Sequence, residues 1–475
     1  MTLSTYDSIT YALKLGEQFN VDLIEVRGED VANTTIFSEK MNLKDTKVFR
    51  RVGIGIRAYK NGATGYSFTT WLSKKSIKVM IQNAVKAAKV ASSFAKLKLK
   101  PAMYDPIHCK HSLNVKKHPI NVDFEEKKEM LHRGEQSAMG KGLNVMTTQA
   151  RYGEAHGHKY FLNSESADIS REVLLVSMGV TVVLKKRDLL TTARDWHGGS
   201  LGLEAFRNEY APEKLGQNAA KWAAEKLSGK KPPTGKFRTL IDNKLGGVMA
   251  HESFGHLSEY DFIITGGSPL SGKLNQKLGS EYATIIDEGV INNSLYPGFT
   301  LPFDDEGVKT RRVTLLNQGI LENYLHMRGT AGAVNVEPTG NGRAIDFRFE
   351  PICRMRNTYF TPGDLTVEEG LELLKDGVYV CNTSGGQVAL DGTFLFKAMC
   401  GYWVEGGETK YTFRDVAIRG HIFGFLKNVI GRCKDLKLYS SYFGGCGKGD
   451  QSPLPVGIGG PHILLKEATF GGEQD

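Results

Sequence analysis

The sequence has little that would place the chain in a membrane or outside the cell. Its longest nearly apolar stretch, residues 173–184, has only 12 residues, whereas a transmembrane helix needs about 20. The first 18 residues contain no basic segment followed by an apolar one, so no secretory signal peptide is predicted. We therefore expect a cytoplasmic protein that has no membrane among its partners.

Cysteine and excess charge are also scarce. Six cysteines are scattered over 475 residues, too few for a disulfide framework, so reduced cytosolic thiols are expected. Lysine and arginine number 61 against 52 acidic residues, a net charge of +9. No compact basic run concentrates this excess, and nucleic acid is therefore not predicted as a partner. The composition, 40% hydrophobic and 24% charged, is that of a soluble globular protein of several domains.

The first half of the chain mixes helical and strand patterns. In chain order, the periodicity of apolar residues predicts a helix over 3–18, a strand over 21–26, a hairpin over 52–69, an amphipathic helix over 73–95, a strand over 173–184 and a helix over 204–227. Asn61-Gly62 marks the hairpin turn, because a type I′ turn needs positive φ at both central residues. We expect the lysine-rich helix over 73–95 to pack on a sheet rather than to bind a membrane.

A change of character near residue 230 predicts a domain boundary. The segment 228–235 combines proline, glycine and lysine, as linkers do. Beyond residue 281, short strand-like runs alternate with glycine turns, with one helix predicted near 367–375. We therefore predict an α+β protein with a mixed α/β N-terminal domain, 1–230. A largely antiparallel β C-terminal domain, 235–475, follows and carries the helix of a metal site.

The sequence His251-Glu252-Ser-Phe-Gly-His256 is the strongest chemical motif. Zinc peptidases hold their metal with two histidines and use a neighbouring glutamate to move protons. Here the histidines are five residues apart, not four as in H-E-x-x-H. At about 100° per residue, a regular helix would leave their side chains about 140° apart. One ion can therefore be shared only if the helix widens into a π turn, which Gly255 would ease.

The motif alone does not distinguish two histidines that bind a metal from two histidines that merely pack in the fold. A third ligand would favour metal binding. A cysteine or a histidine is the natural third ligand. Cys446, in a glycine-dense loop, is one candidate, although a structural thiol is the default interpretation of any single cysteine. Two rival metal sites are weaker, because they lie in polar, loop-like sequence: His108/Cys109/His111 and His156/His158.

A serine nucleophile is a further alternative. Gly198–Gly202 matches G-x-S-x-G with Ser200 at its centre. The nucleophile elbow of that motif requires a buried strand before it and a helix after it. Because the sequence before Gly198 is polar, we do not expect Ser200 to act as a nucleophile.

The stretch 246–261 resembles the signature of the TldD branch of the TldD/PmbA family of zinc peptidases. Further blocks resemble that family in family order: Asp304–Gly307, Asn317–Asn323, Pro338–Arg343, Arg354–Tyr359, Gly385–Val388, Cys446–Lys448, Gln451–Gly457 and Gly471-Gly472. The segment 53–65 is similar to the family's glycine-rich hairpin. The resemblance thus covers nearly the whole chain and is strongest after Thr239.

This resemblance implies a metal site and a general base. The zinc ligands would be His251, His256 and Cys446, and Glu252 would be the catalytic base. A histidine, histidine and thiolate set favours Zn²⁺ over magnesium or calcium. The sequence departs from the family pattern at 253–255 and 257–261, which removes no ligand but leaves the substrate preference open.

The resemblance also implies partners. TldD-type subunits form homodimers or pair with a PmbA/TldE-type subunit, and such dimers enclose a chamber that admits unfolded or short peptides. The peptide substrate is expected to bind as an added β-strand, with Arg343, Gly385 and Gly386 as candidate substrate-binding residues.

Several roles stay open at this point. Arg343 could stabilise an oxyanion or have a structural role. Glu259 and Asp261 could orient a ligand histidine or form a structural salt link. The alternative function is a non-hydrolytic peptide-binding partner subunit, but such a scaffold would not need the complete set of ligands and base.

Overall fold

The computed structural model describes residues 3–95, 100–140, 142–293 and 295–471. Gly472, the last residue of the family-like blocks, lies outside these ranges. Within them, no helix combines the length and the apolar character needed to cross a membrane.

The N-terminal half is a seven-stranded sheet with helices packed on it. Its strands are β1 Leu23–Glu39, β2 Asn42–Lys60, β3 Ala63–Thr69, β4 His108–His111, β5 Val145–Asn163, β6 Asp168–Lys186 and β7 Leu189–Gly199. Its helices are α1 Thr5–Gly16, α2 Lys74–Phe94, α3 Phe124–Ala138 and α4 Pro212–Ser228. The strand order is β3-β2-β1-β5-β6-β4, and β7 also pairs with β6. All pairs are antiparallel except β4 with β6.

The helices cover the sheet in two groups with separate cores. α1 and α2 pack on the β1–β3 end through side chains such as Ile9, Ile54 and Ile81. α3 and α4 pack on the β5–β7 end through Leu131 and Leu215. Burial of these apolar faces stabilises the amphipathic helices, of which the periodicity predicted α1, α2 and α4 but not α3.

The predicted hairpin is confirmed. β2 and β3 pair antiparallel with Lys60 opposite Ala63. The two turn residues, Asn61 and Gly62, have φ values of 49° and 82°, as a type I′ turn requires.

Several predicted elements have different bounds from those expected: the hairpin already begins at Asn42, and the strand predicted over 173–184 spans Asp168–Lys186. The strand predicted over 21–26 continues to Glu39, and the helix predicted from residue 204 begins only at Pro212. Proline is favoured at the first position of a helix and disfavours helical geometry in the residue before it. Residues 203–205 and 208–210 form 3₁₀ turns instead.

The C-terminal half is largely antiparallel, as predicted. Its strands are β8 Gly235–Ile241, β9 Ile285–Glu288, β10 Val313–Asn317, β11 Ile320–Leu321, β12 Gly342–Arg343, β13 Ile352–Cys353, β14 Asn357–Phe360, β15 Gly377–Val388, β16 Thr393–Glu405, β17 Glu408–Phe413, β18 Ala417–His421, β19 Val429–Arg432, β20 Lys437–Tyr439, β21 Cys446–Lys448, β22 Gln451–Leu454, β23 Ile458–Gly460 and β24 Ile463–Phe470. Five of them close into a ring, β8-β15-β16-β18-β24, in which only β8 and β15 run parallel.

Short helices complete this half. They are α5 Asn243–Ala250, α6 Tyr260–Ile264, α7 Arg328–Val334, α8 Val367–Leu374 and α9 Ile422–Asn428. The prediction near 367–375 is confirmed by α8, which Thr366 and Glu369 begin with a capping box. The sequence analysis missed α7 and α9, because seven residues are too few for a helical period to stand out.

Buried ion pairs join the two halves. Arg328 of α7 donates to Glu25 of β1 (2.8 Å), and Arg171 of β6 donates to Asp305 (3.0 Å). All four side chains are buried. Removing one partner of such a pair leaves an uncompensated buried charge, so these contacts hold the N-terminal sheet against the C-terminal half.

Candidate metal centre

The metal motif follows directly on α5. This helix begins where the Asp242 side chain accepts a hydrogen bond from the backbone N–H of Leu245 (2.9 Å), and all eight of its residues are buried. The chain continues as a π turn over 251–255, in which the N–H of His256 donates to the carbonyl of His251. The predicted widening of the helix is therefore confirmed.

Glycine is needed at position 255 for a different reason from the one predicted. Its φ is −59°, an ordinary helical value, so the π turn makes no use of glycine's conformational freedom. A Cβ at this position would lie 1.9 Å from Sδ of Met355. Glycine is needed here because the turn packs against a neighbouring segment at close range.

Three candidate ligands converge at this turn. His251, His256 and Cys446 each offer one ligand atom, and these atoms lie within 4.8 Å of one another. Sγ of Cys446 is 3.1 Å from Nε2 of His256, and the two imidazole planes are nearly perpendicular, at 82°. Among the described residues no other group of three histidine, cysteine or acidic side chains has such spacing. The rival segments at 108–111 and 156–158 therefore do not assemble a site there.

The residues present fit a transition metal. Nδ1 of His251 is buried and has no hydrogen-bond partner among the described residues, so no described protein group satisfies it. Burial alone would raise the pKa of the Cys446 thiol, but His251 and His256 outweigh it and hold that pKa well below its usual range. Because the thiolate is the metal-binding form of cysteine, this donor set suits zinc.

Glu252 stands beside this group without belonging to it. Its carboxylate is half-buried and is not one of the three convergent ligands. No hydrogen bond or ion pair ties it to another side chain in the described part of the chain. It is thus a half-buried carboxylate, adjacent in sequence to His251, that has no protein partner among the described residues.

A buried cluster of charged side chains contacts the imidazole of His256 on its Nδ1 side. Oε2 of Glu259 is 3.3 Å from Nδ1 of His256, and Nζ of Lys448 donates to Glu259 (2.9 Å) and Asp261 (2.6 Å). Burial alone would raise the pKa of Glu259, but His256 and Lys448 outweigh it and hold that pKa at about 2. Of the two carboxylates considered in the sequence, Glu259 contacts a candidate ligand, and Asp261 contacts Lys448.

Sequence reasoning missed two basic residues of this site. Lys448 is the first, and its signal was its place two residues after Cys446. The second is Arg354, which is fully buried and donates to the carbonyl of Cys446 (2.8 Å). No periodicity or motif indicates that contact, because 92 residues separate its two partners.

Replacing Lys448 by methionine should weaken metal binding by about 10- to 100-fold, the usual cost of losing an outer partner of a metal ligand. Without the ammonium, Glu259 and Asp261 would repel each other, and Glu259 would no longer hold His256 in place. Zinc affinity by competition with a chromophoric chelator measures the effect. The matched control is Lys410→Met, since Lys410 pairs with Glu408 on the surface. Equal affinity in the two variants would contradict this role for Lys448.

The three candidate substrate-binding residues lie in different settings. Arg343 is buried, and its Nη atoms donate to the carbonyls of Met355 and Pro455, which favours the structural interpretation of this side chain. Burial lowers its pKa to about 9. Gly385 and Gly386 are exposed on β15.

The edge of β15 beyond Val380 is open on one side. Residues 383–388 pair with β16, whereas the described pairing with β8 ends at Val380. An open strand edge of this kind can accept another extended chain.

Ser200 does not have the setting of a nucleophile. Its hydroxyl accepts a hydrogen bond from the N–H of Thr300 (2.9 Å), and the side chain is buried. A 3₁₀ turn, Leu203–Ala205, follows it in place of a helix. The strand-to-helix elbow that activates a serine is not formed around this residue.

Three segments match family descriptions of PmbA/TldA metallopeptidases. They are domain 1 over residues 24–88, the central domain over 117–227 and the C-terminal domain over 234–472. The last of these contains the whole candidate metal centre. The chain belongs to the TldD/PmbA family of metallopeptidases.

Named relatives of this family span nearly the whole chain. A metalloprotease of Methanocaldococcus jannaschii is 34% identical over 89% of this chain and 92% of its own. A metalloprotease of Methanothermobacter thermautotrophicus is 33% identical over 95% and 96%. A zinc metalloprotease TldD homolog of Saccharolobus solfataricus is 27% identical over 97% and 99%.

Solved structures share the fold. A Thermotoga maritima protein described as a modulator of DNA gyrase has a TM-score of 0.81 at 21% identity, covering 98% of this chain and 100% of its own. TldE from Thermococcus kodakarensis has a TM-score of 0.78 at 18% identity, with the same coverage. At these identities the likeness establishes the architecture alone.

Proposed function

We propose that this metallopeptidase binds zinc through His251, His256 and Cys446 and hydrolyses unfolded or short peptides. The observation that carries the proposal is the convergence of these three donors beside the available carboxylate of Glu252. Zinc in such a site supplies a Lewis acid that makes water nucleophilic at neutral pH. A metal-free scaffold would have no need of this set, which speaks against the alternative of a non-hydrolytic peptide-binding subunit.

Glu252 does the proton chemistry in this proposal. Its carboxylate accepts a proton from the attacking water and then delivers it to the departing amine. Meanwhile Glu259 holds the ring of His256 from the Nδ1 side, which leaves Nε2 directed at Cys446 and the metal position.

The peptide binds along the open edge of β15. Residues 383–388 offer backbone groups to an extended substrate, and exposed Gly385 and Gly386 let that chain approach closely. Such binding recognises backbone, so it admits many sequences. Arg343 acts indirectly, by holding the backbone carbonyls of Met355 and Pro455 in place.

The assembly and location follow the family. We propose a homodimer, or a heterodimer with a PmbA/TldE-type subunit, that encloses the site in a chamber in the cytoplasm. The likeness of the fold to TldE supports the pairing. Within the chain, 1–230 and 235–475 would act as the two structural units, joined by the linker at 231–234.

The decisive experiment measures metal per chain together with peptidase activity. Protein purified without added metal should contain about one zinc by mass spectrometry, lose activity on an unstructured peptide in chelator, and regain it with zinc. Absence of any transition metal, even after zinc is offered, would overturn the proposal. Activity that survives chelation but not thiol alkylation would instead assign the reaction to the Cys446–His256 pair.

A further inference from the structure

A large cleft runs between the two halves of the molecule and reaches the metal-ligand loop. Its volume is about 640 Å³. One wall is the face of β5, β6 and β7, and the other consists of Thr383 and Ser384 of β15, Met399 of β16 and the loop 440–445. Since Cys446 directly follows this loop, a peptide on the edge of β15 would place its flanking side chains in the cleft.

Two arginines of the cleft wall lie on the strands either side of β6. Arg151 of β5 pairs in register with Gly179 of β6, and Arg194 of β7 pairs with Thr181. Positions paired across strands, and positions two residues apart, lie on the same face of a sheet. Both arginines therefore lie on the sheet face that lines the cleft, and the Arg151 guanidinium rests over the ring of Phe37 of β1, 5.0 Å from its centre.

These arginines lack a counter-ion. No carboxylate among the described residues lies within 4 Å of either guanidinium, although both side chains are exposed to the cleft. Burial and the like charge of Arg151 lower the pKa of Arg194. Asp195, the acidic residue of the same wall, is already neutralised by Lys244 (2.9 Å).

The rest of the wall does not cancel this positive charge. Lys226 also lines the cleft and donates to a backbone carbonyl, that of Thr192 (2.8 Å). The other wall side chains are neutral, and several are apolar: Met178, Trp196, Met399, Phe443, Val456 and Ile458. Two guanidinium forks over a partly apolar surface match a carboxylate carried on a peptide.

We propose that Arg151 and Arg194 form a subsite that selects peptides bearing a carboxylate, supplied by an acidic side chain or by the C-terminus. The subsite rests on the proposed function, since it assumes a peptide along β15. It adds preference for charge to a site whose backbone contacts discriminate little. The arginines are specificity-determining residues that act on the bound chain away from the scissile bond.

The test uses the zinc-loaded full chain and peptides of one length. Each peptide is made with Glu or Gln in turn at every position, and with a free or an amidated C-terminus. We expect one Glu position, or the free C-terminus, to lower KM roughly tenfold, as a charge-assisted hydrogen bond would, with little change in kcat. The position that responds identifies the source of the carboxylate. The preference should shrink at high salt, because both arginines are reached by solvent.

Variants assign this preference to the two arginines. In Arg151→Gln/Arg194→Gln, the KM ratio between the Gln and Glu peptides should fall to about one, whereas Arg151→Lys/Arg194→Lys should keep only part of it, because the positive charge remains but the bidentate fork is lost. The control is Arg419→Gln, an exposed arginine of β18 outside the cleft, in which the ratio should not change.

The two proposals fail in different ways. An unchanged KM ratio in the double Gln variant, or no preference in the wild type, would overturn the subsite while peptidase activity persists. No cleavage of any peptide would overturn the proposed function. In that case, fluorescence anisotropy with the labelled Glu and Gln peptides would still test the subsite, since it measures binding without turnover.

Discussion

Glu252→Gln is expected to lower kcat/KM for peptide hydrolysis by about 100- to 10,000-fold, the usual contribution of a general acid–base. Glutamine has nearly the same shape but cannot accept the proton of the attacking water or return it to the leaving amine. Because Glu252 is not among the three convergent ligands, the variant should retain its zinc. Steady-state kinetics and metal analysis of the same preparation measure both effects.

The control for this prediction is Glu281→Gln. Glu281 is exposed at the surface and lies outside the metal centre, so its variant should match the wild type in activity and zinc. Wild-type activity in Glu252→Gln would exclude this residue as the base. Loss of zinc from Glu252→Gln would instead make it a ligand.

Cys446→Ser is expected to weaken zinc binding by more than roughly 100-fold, since even the loss of an outer partner of a ligand costs about 10- to 100-fold. A serine hydroxyl stays protonated at neutral pH, whereas His251 and His256 favour the thiolate form of Cys446. Zinc content after dialysis, together with affinity by chelator competition, measures the loss. Peptidase activity should fall with the zinc and be partly restored by excess metal.

Cys109→Ser is the matched control, because Cys109 is also an unpaired cysteine but belongs to the rival segment 108–111. It should keep full zinc and activity. If Cys446→Ser keeps its zinc, the third ligand lies elsewhere; if Cys109→Ser loses zinc, the rival segment is the site.

Several local elements of the fold could be predicted from short sequence patterns. The Asn61-Gly62 turn, the α8 helix and the π turn after α5 were predictable because each depends on neighbouring residues and on backbone geometry. The spacing of His251 and His256 is the clearest case, since it requires a widened helix if both rings face one ion.

Contacts between distant segments were beyond this kind of prediction. The strand β1 was predicted too short because Arg27 and Glu29, which look like surface residues, are buried. Their cost of burial is met by partners on other segments, the Phe349 carbonyl of the other half for Arg27 and the Arg51 guanidinium of β2 for Glu29. The periodicity of apolar residues predicts which face of a strand or helix is buried when that face is apolar. It does not predict a face whose polar side chains are buried together with their hydrogen-bonding partners.

By itself, the sequence determined the α+β fold class, the widened turn that carries His251 and His256, and the candidate ligand Cys446. Only the tertiary structure brought Cys446 to within 3.1 Å of His256, across 190 residues of chain. It also placed Lys448 on Glu259, and opened a cleft with Arg151 and Arg194 beside the ligand loop. Turns and helices follow from short-range geometry, whereas a site built from separate segments depends on how the sheets and helices pack.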